Sequence, residues 1–142
     1  MLELRFIADA RRIAAMRDSI ARECSRLNVG AEHSETVAFV AEHLVGGGEK
    51  THRAGGTGAR RSKVLVIVTV QSDATMLMVR EAAPVPAELG DARQLLLEAY
   101  ASRWSTMSGA DGRTVWAEIA RSRGLTRDAP APTGVPAVAA VD

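Results

Sequence analysis

Seven consecutive residues, Val64 to Val70 (VLVIVTV), carry no charge and a single polar side chain. β-branched residues dominate the run and suit a pleated, buried surface. Side chains alternate between the two faces of a strand. Val64, Val66, Val68 and Val70 therefore share one face, and Leu65 and Ile67 share the other. A strand apolar on both faces reads as a central strand with cover on both sides. The chain must then be built around a sheet. Gln71-Ser72-Asp73 supplies a turn, and Thr75 to Glu81 (TMLMVRE) reads as the returning strand of a hairpin. Met76 and Met78 oppose Leu77 and Val79 across it, so this strand is also apolar on both faces.

The flanking segments read as helices and further strands. Leu2 to Ile7 alternate weakly, as an edge strand does. Asp9 stands at an N-cap position, where its carboxylate can accept from free backbone N–H groups. Ala10, Ile13, Ala14, Ile20, Ala21, Cys24 and Leu27 then recur at helical spacing, with Arg11, Arg12, Asp18, Arg22 and Arg26 opposite. Asn28-Val29-Gly30 ends that helix, with Gly30 suited to a left-handed conformation. A second helix is expected from Ala31 to about Val45, with Val37, Val40, Ala41 and Leu44 as its buried stripe. Gly46, Gly47 and Gly48 should stop it, since each costs about 1 kcal/mol relative to alanine. Gly46 to Arg61 then reads as a glycine-rich basic loop. Pro84 and Pro86 pre-set a third helix with Leu89, Ala92, Leu96, Ala99 and Tyr100 as apolar positions. Gly109 to Gly112 (GADG) is a tight turn between Trp104–Ser108 and Arg113–Ala120, a closing hairpin. The order is strand, two helices, hairpin, helix, hairpin. It predicts an α+β fold: a two-layer sandwich, mostly antiparallel, with helices on one face of the sheet. Helices on one face leave the apolar second face without cover, and an uncovered apolar sheet face is an interface by expectation.

A chain of 142 residues allows one folded domain. That domain is expected over 1–121. The stretch from Asp128 to Asp142 holds three of the five prolines and little beyond alanine and valine otherwise, so 122–142 reads as a disordered tail. A net charge of +1 gives no electrostatic case for nucleic acid or an anionic membrane as partner. Cys24 is the only cysteine, which excludes an internal disulfide, and its place on an apolar helix face suits an inert buried thiol. Glu3 and Arg5 interrupt the N-terminus before any run of signal-peptide length. No stretch approaches the roughly 20 apolar residues of a membrane span. A cytoplasmic protein is expected.

Ala38 to Lys50 (AFVAEHLVGGGEK) sets one carboxylate, Glu42, on an apolar helix that runs into three glycines. The stretch resembles the first motif of the GHKL ATPase/kinase superfamily (the Bergerat fold), in its branch of bacterial anti-sigma-factor serine kinases. There the helix reads roughly E-L-V-x-N, with Glu as catalytic base and Asn holding magnesium. The similarity covers roughly Leu2 to Arg121. Its most specific part is the last third: LLLEAYASRWS (Leu95–Ser105) resembles the family's L-x-L-V-x-A-L-A-D-x-W-G, and GRTVWAEIA (Gly112–Ala120) resembles its G-G-K-T-V-W-F-E-L. Trp104 and Trp116, a hairpin apart, belong to the same likeness.

The resemblance implies an ATP and Mg²⁺ site, yet its motifs are altered at three places. Gly46 stands where the magnesium-holding Asn belongs. Glu81 stands where the Asp of D-x-G-x-G would accept from the adenine amino group, and Ala82-Ala83-Pro84 supply neither glycine. The phosphate-cradling glycine turn should lie at Gly90-Asp91-Ala92-Arg93; only Gly90 matches, and Asp91 would repel phosphate. Phosphoryl transfer depends on the metal ion and on positioning. The resemblance therefore implies a pseudo-kinase with no cofactor, whose catalytic remnant is Glu42 and whose cofactor-site remnants are Glu81 and Gly90. Its role would be regulatory protein binding: sequestering a sigma factor, or an antagonist of such anti-sigma factors, as a homodimer or heterodimer. Two further readings stand beside it. One is an ATP-dependent serine/threonine kinase with Glu42 as base. The other is a structural subunit paired with an intact paralogue.

Two other patterns carry less. His33, His43 and His52 form no H-x-x-x-H pair, so no metal site is expected. Gly55 to Lys63 lacks the G-K-[ST] end of a phosphate loop and leads into a strand.

Overall fold

The computed structural model describes the backbone of residues 1–55, 63–82 and 89–121, and the side chains of these except 46–55. The elements are β1 (Leu2–Ile7), α1 (Ala10–Arg26), α2 (Ala31–Gly55), β2 (Lys63–Val70), β3 (Ala74–Ala82), α3 (Asp91–Tyr100), β4 (Arg103–Gly109) and β5 (Gly112–Ala120). The fold is α+β. One five-stranded sheet runs in the order β1-β2-β3-β5-β4, and every neighbouring pair is antiparallel.

Register sorts the side chains by face. Leu4 stands opposite Val66, Val66 opposite Val79, and Val79 opposite Val115. Leu2, Val68, Leu77 and Ala117 form the next row on that side. These rows meet the helices: Val66, Val68, Leu77 and Ala117 are fully buried. The alternate positions, Leu65, Ile67, Met76, Met78 and Trp116, are only half-buried. Among the described residues, the two-sided apolarity of β2 therefore meets helices on one side only.

α1 opens on Asp9, whose side chain accepts from Arg12 N at 2.8 Å. Its buried stripe is Ile13, Met16, Ile20 and Cys24. The stripe is narrower than expected, because Ala10, Ala14, Ala21 and Leu27 are exposed and Met16 takes the place facing the core. The helix ends at the expected segment, but Gly30 is not its left-handed residue. Asn28 takes the left-handed conformation (φ 61°), and Val29 N returns to Cys24 O at 2.8 Å. Asparagine tolerates that region, and the returning bond satisfies a terminal carbonyl. Gly30 instead accepts from Ser34 N at 3.0 Å, in the first turn of α2.

α2 does not stop at Val45. It continues through Gly46, Gly47 and Gly48 to Gly55. Four turns of helix precede the glycines, so nucleation is already complete and each added residue closes one more bond. The glycine penalty lowers stability there without ending the helix. The remainder of the expected loop, Pro84, Pro86 and the expected tail at 122–142 lie outside the described residues.

α3 turns a partly different face to the core from the one expected, although Leu89 is buried and Leu96 packs against the core as expected. Leu97 and Arg93 are its buried residues, while Ala92, Ala99 and Tyr100 are exposed. Leu89, Arg93 and Leu97 are four residues apart, one helical stripe, and an arginine occupies its middle. No helix among the described residues is long and apolar enough to cross a membrane.

Candidate functional site

Glu81 points inward from β3, opposite Val64 on one side and Arg113 of β5 on the other. Arg113 donates through Nη2 to Glu81 Oε1 at 2.8 Å. Arg93, from the first turn of α3, donates through Nη1 to Oε1 and through Nη2 to Oε2, each at 3.4 Å. Glu81, Arg93 and Arg113 are each less than a tenth exposed. One carboxylate thus ties three elements together beneath α3. Charge-assisted bonds are strong at the 2.8 Å distance and weak at 3.4 Å, so Arg113 is the principal partner. Gly90 lies at the same corner, as the N-cap residue of α3, where its carbonyl accepts from Gln94 N at 3.0 Å.

Glu42 is not brought to this corner. Its Oε1 accepts from Arg17 Nη1 of α1 at 2.6 Å. The α3 side of α2 carries Phe39 instead, whose ring lies 5.4 Å from that of Tyr100 and 4.3 Å from that of His43. His43 Nδ1 bonds the Phe39 carbonyl of its own helix at 2.9 Å. The three residues marked by sequence therefore separate. Glu81 and Gly90 share the α3 corner, and Glu42 belongs to the α1–α2 surface. Both carboxylates are already engaged by arginines.

The other histidine with a defined environment, His33, is buried against Thr75, Nε2 to Oγ1, at 2.7 Å. Burial pushes its pKa down, and the positive charge of Arg121 adds to the effect. Cys24 is fully buried, and that burial pushes its thiol pKa up, away from nucleophilic use. Among the described residues no three His, Cys, Asp or Glu side chains gather as metal ligands.

The second surface is the helix-free face of the sheet. Ile67, Met78 and Trp116 form one row across β2, β3 and β5; Leu65, Arg80 and Thr114 form the next. The guanidinium of Arg103 lies 5.9 Å from the centre of the Trp116 ring and is fixed by Glu118 at 2.7 Å. Toward β1 the face dips into an open cleft of about 490 Å³ lined by Arg5, Ile7, Lys63, Leu65, Arg80 and Asp111. Its floor is apolar and its rim carries three cations and one carboxylate. Such a surface suits an amphipathic protein segment with acidic flanks.

Sequence reading missed Arg93 and Arg113, although both left a signal. Arg113 shares the inward alternation of Val115, Ala117 and Ile119, and Arg93 lies on the stripe of Leu89 and Leu97. Arg17 and the cationic cleft gave no comparable sign, because they depend on which helix and which strand lie next to each other. No protein-family model matches the chain, and no curated protein matches it.

Proposed function

We propose that this chain is a non-catalytic, protein-binding regulatory domain that acts in the cytoplasm as an anti-sigma factor does, by holding a transcription regulator in an inactive complex. The observation that carries the reading is the engagement of Glu81 by Arg113 and Arg93. A nucleotide site needs a free carboxylate at that position to accept from the adenine amino group. Here two guanidinium groups take up its oxygens, and Arg93 places a cation beside them. Glu42 lends support, since a general base must reach its proton donor and this carboxylate is bound to Arg17. The helix-free face supplies what a binding role needs: a half-buried apolar centre at Ile67, Met78 and Trp116 beside a cationic cleft.

Two measurements test the reading. Thermal-shift titration with Mg-ATP should leave the melting temperature unchanged. A ligand at about 100 times its dissociation constant would add roughly 2.7 kcal/mol, so a saturable upward shift would overturn the proposal. Capture from the native cell should then recover a sigma factor or an antagonist of one, and Met78→Asp on the helix-free face should abolish it. Capture that survives Met78→Asp unchanged would move the binding surface elsewhere.

A further inference from the structure

We infer that the helix-free face of the sheet holds one α-helix of a partner protein, amphipathic and acidic along one flank only. The inference rests on the proposed use of this face for protein binding and adds what the partner must present. Ile67, Met78 and Trp116 stand side by side on β2, β3 and β5. Neighbouring strands lie about 4.8 Å apart, close to the 5.4 Å pitch of an α-helix. A helix laid across the strands therefore sets one apolar residue per turn over this row. An extended segment on the same face would leave its backbone N–H and C=O groups without partners, whereas a helix satisfies its own. Met107, 74% exposed, prolongs the apolar surface onto β4, where it faces Thr114. Four strand spacings separate β1 from β4. They amount to about 19 Å, or roughly thirteen helical residues. A surface of that length suits a protein segment better than a small ligand.

Charge decides which helix. Arg5, Leu65 and Arg80 form the row beside the apolar one, and Lys63 lies two residues along β2 from Leu65. Arg5 is matched by Glu3 at 2.8 Å. Lys63 and Arg80 form no ion pair with any described residue, whereas the exposed Arg12, Arg17, Arg26 and Arg103 each hold an acid. Asp111 is the other carboxylate at the cleft, so three cations stand against two carboxylates. Lys63 and Arg80 are diagonal cross-strand neighbours. Such neighbours lie about 7–8 Å apart, within reach of like-charge repulsion between long side chains. A carboxylate seated between them removes that repulsion. The row on the other side of Ile67, Met78 and Trp116 is neutral: it holds Met76 and the pair of Glu118 with Arg103 at 2.7 Å. Acids on both flanks of a bound helix would set one row of them against Glu118. A single acidic flank, lying over β1 to β3, matches both sides.

Two synthetic peptides of about 18 residues, long enough to form a helix, supply the probe. Both carry the same leucine stripe; one has glutamate along a single flank, the other lysine at the same positions. Fluorescence anisotropy of each labelled peptide against the purified full chain should show the glutamate peptide bound at least about tenfold more tightly, with the preference shrinking as salt rises. Arg80→Glu should reverse the order of the two peptides, and Met78→Asp should remove the binding of both. Equal affinities, an order that Arg80→Glu leaves unchanged, or binding indifferent to Met78→Asp would each overturn the inference. A second copy of the chain or its own residues 122–142 on this face would shut out both peptides, and absence of binding overturns it too. The unsubstituted chain ranks the peptides by itself, so a misfolded variant leaves the inference open to refutation. The regulatory reading fails on other results, a saturable shift with Mg-ATP or capture from the cell that Met78→Asp leaves unchanged, so the two failures can be told apart.

Discussion

Glu81→Gln should be among the most damaging near-isosteric substitutions in the chain. It preserves side-chain volume and one acceptor oxygen, so it leaves no cavity. What it removes is the carboxylate that Arg93 and Arg113 share, with all three side chains at most a tenth exposed. Breaking a buried ion pair by neutralising one partner costs about 3–5 kcal/mol, because the remaining charge stays desolvated. A domain of this size loses about 4 °C in Tm per kcal/mol, so the melting temperature should fall by about 10–20 °C. Arg93→Met should behave very differently. It forfeits two bonds at 3.4 Å, keeps much of the apolar stem, and leaves Glu81 with its 2.8 Å partner Arg113. Its cost should stay within about 1 kcal/mol. The assay is urea unfolding at neutral pH followed by Trp104 and Trp116 fluorescence, with the double variant completing a thermodynamic cycle. Adding Arg93→Met to Glu81→Gln should recover at least about 1 kcal/mol, since a stranded cation is removed. High salt should change little, because buried pairs are weakly screened. The reasoning fails if Glu81→Gln lies within about 1 kcal/mol of wild type, or if Arg93→Met costs as much as Glu81→Gln.

Three other outcomes follow from the structure. His33 has a folded-state pKa below its ordinary 6.5, so the unfolded chain binds the proton more readily. Stability from this group is complete above about pH 6.5 and is lost as pH falls below that value; His33→Gln should flatten urea midpoints between about pH 7 and 5. Glu23 and Glu118, whose pKa values are lowered chiefly by hydrogen bonds from Arg26 and Arg103, add their own loss only as pH falls through 4.5 and below. Leu97 is fully buried and Leu95 is 68% exposed, two residues along one helix. Leu97→Ala should cost about 2–5 kcal/mol and Leu95→Ala less than about 0.5, read as urea midpoints; equal costs would refute the assigned face of α3. Asp9→Ala removes the side-chain cap on Arg12 N and should cost about 1 kcal/mol, visible as a lowered Tm.

Element order, the antiparallel sheet and both hairpins were legible because β2 and β3 are apolar runs rich in β-branched residues and each hairpin turn carries its own turn residues. The left-handed residue after α1 and the end of α2 were not. Asn28 and Gly30 both suit a left-handed turn, and only the return of Val29 N to Cys24 O decides between them. Three glycines predict a stop from intrinsic cost alone, whereas the helix ahead of them had already met the cost of nucleation. At the candidate site, Glu81 and Gly90 were marked by position along the chain and do meet at one corner. Glu42 was marked in the same way, but the rotation of α2 turns it toward α1. Reading arginine as a surface residue hid Arg93 and Arg113, although both sit at core-facing positions of their elements. Side-chain partners across elements are a property of the packing, and a single sequence encodes them only through periodicity.

The Glu81 cluster also restricts which neighbouring sequences are accessible. Changing Glu81 first takes the shared carboxylate away from two buried arginines, so that step is costly. Removing one arginine is tolerable, because a matched pair survives. Removing the second strands the carboxylate, unless something else supplies a donor at the same moment. A free acidic group at this corner is thus separated from the present arrangement by a valley in stability. No series of single substitutions crosses it without loss, except in the presence of a ligand that binds the exposed carboxylate as it appears.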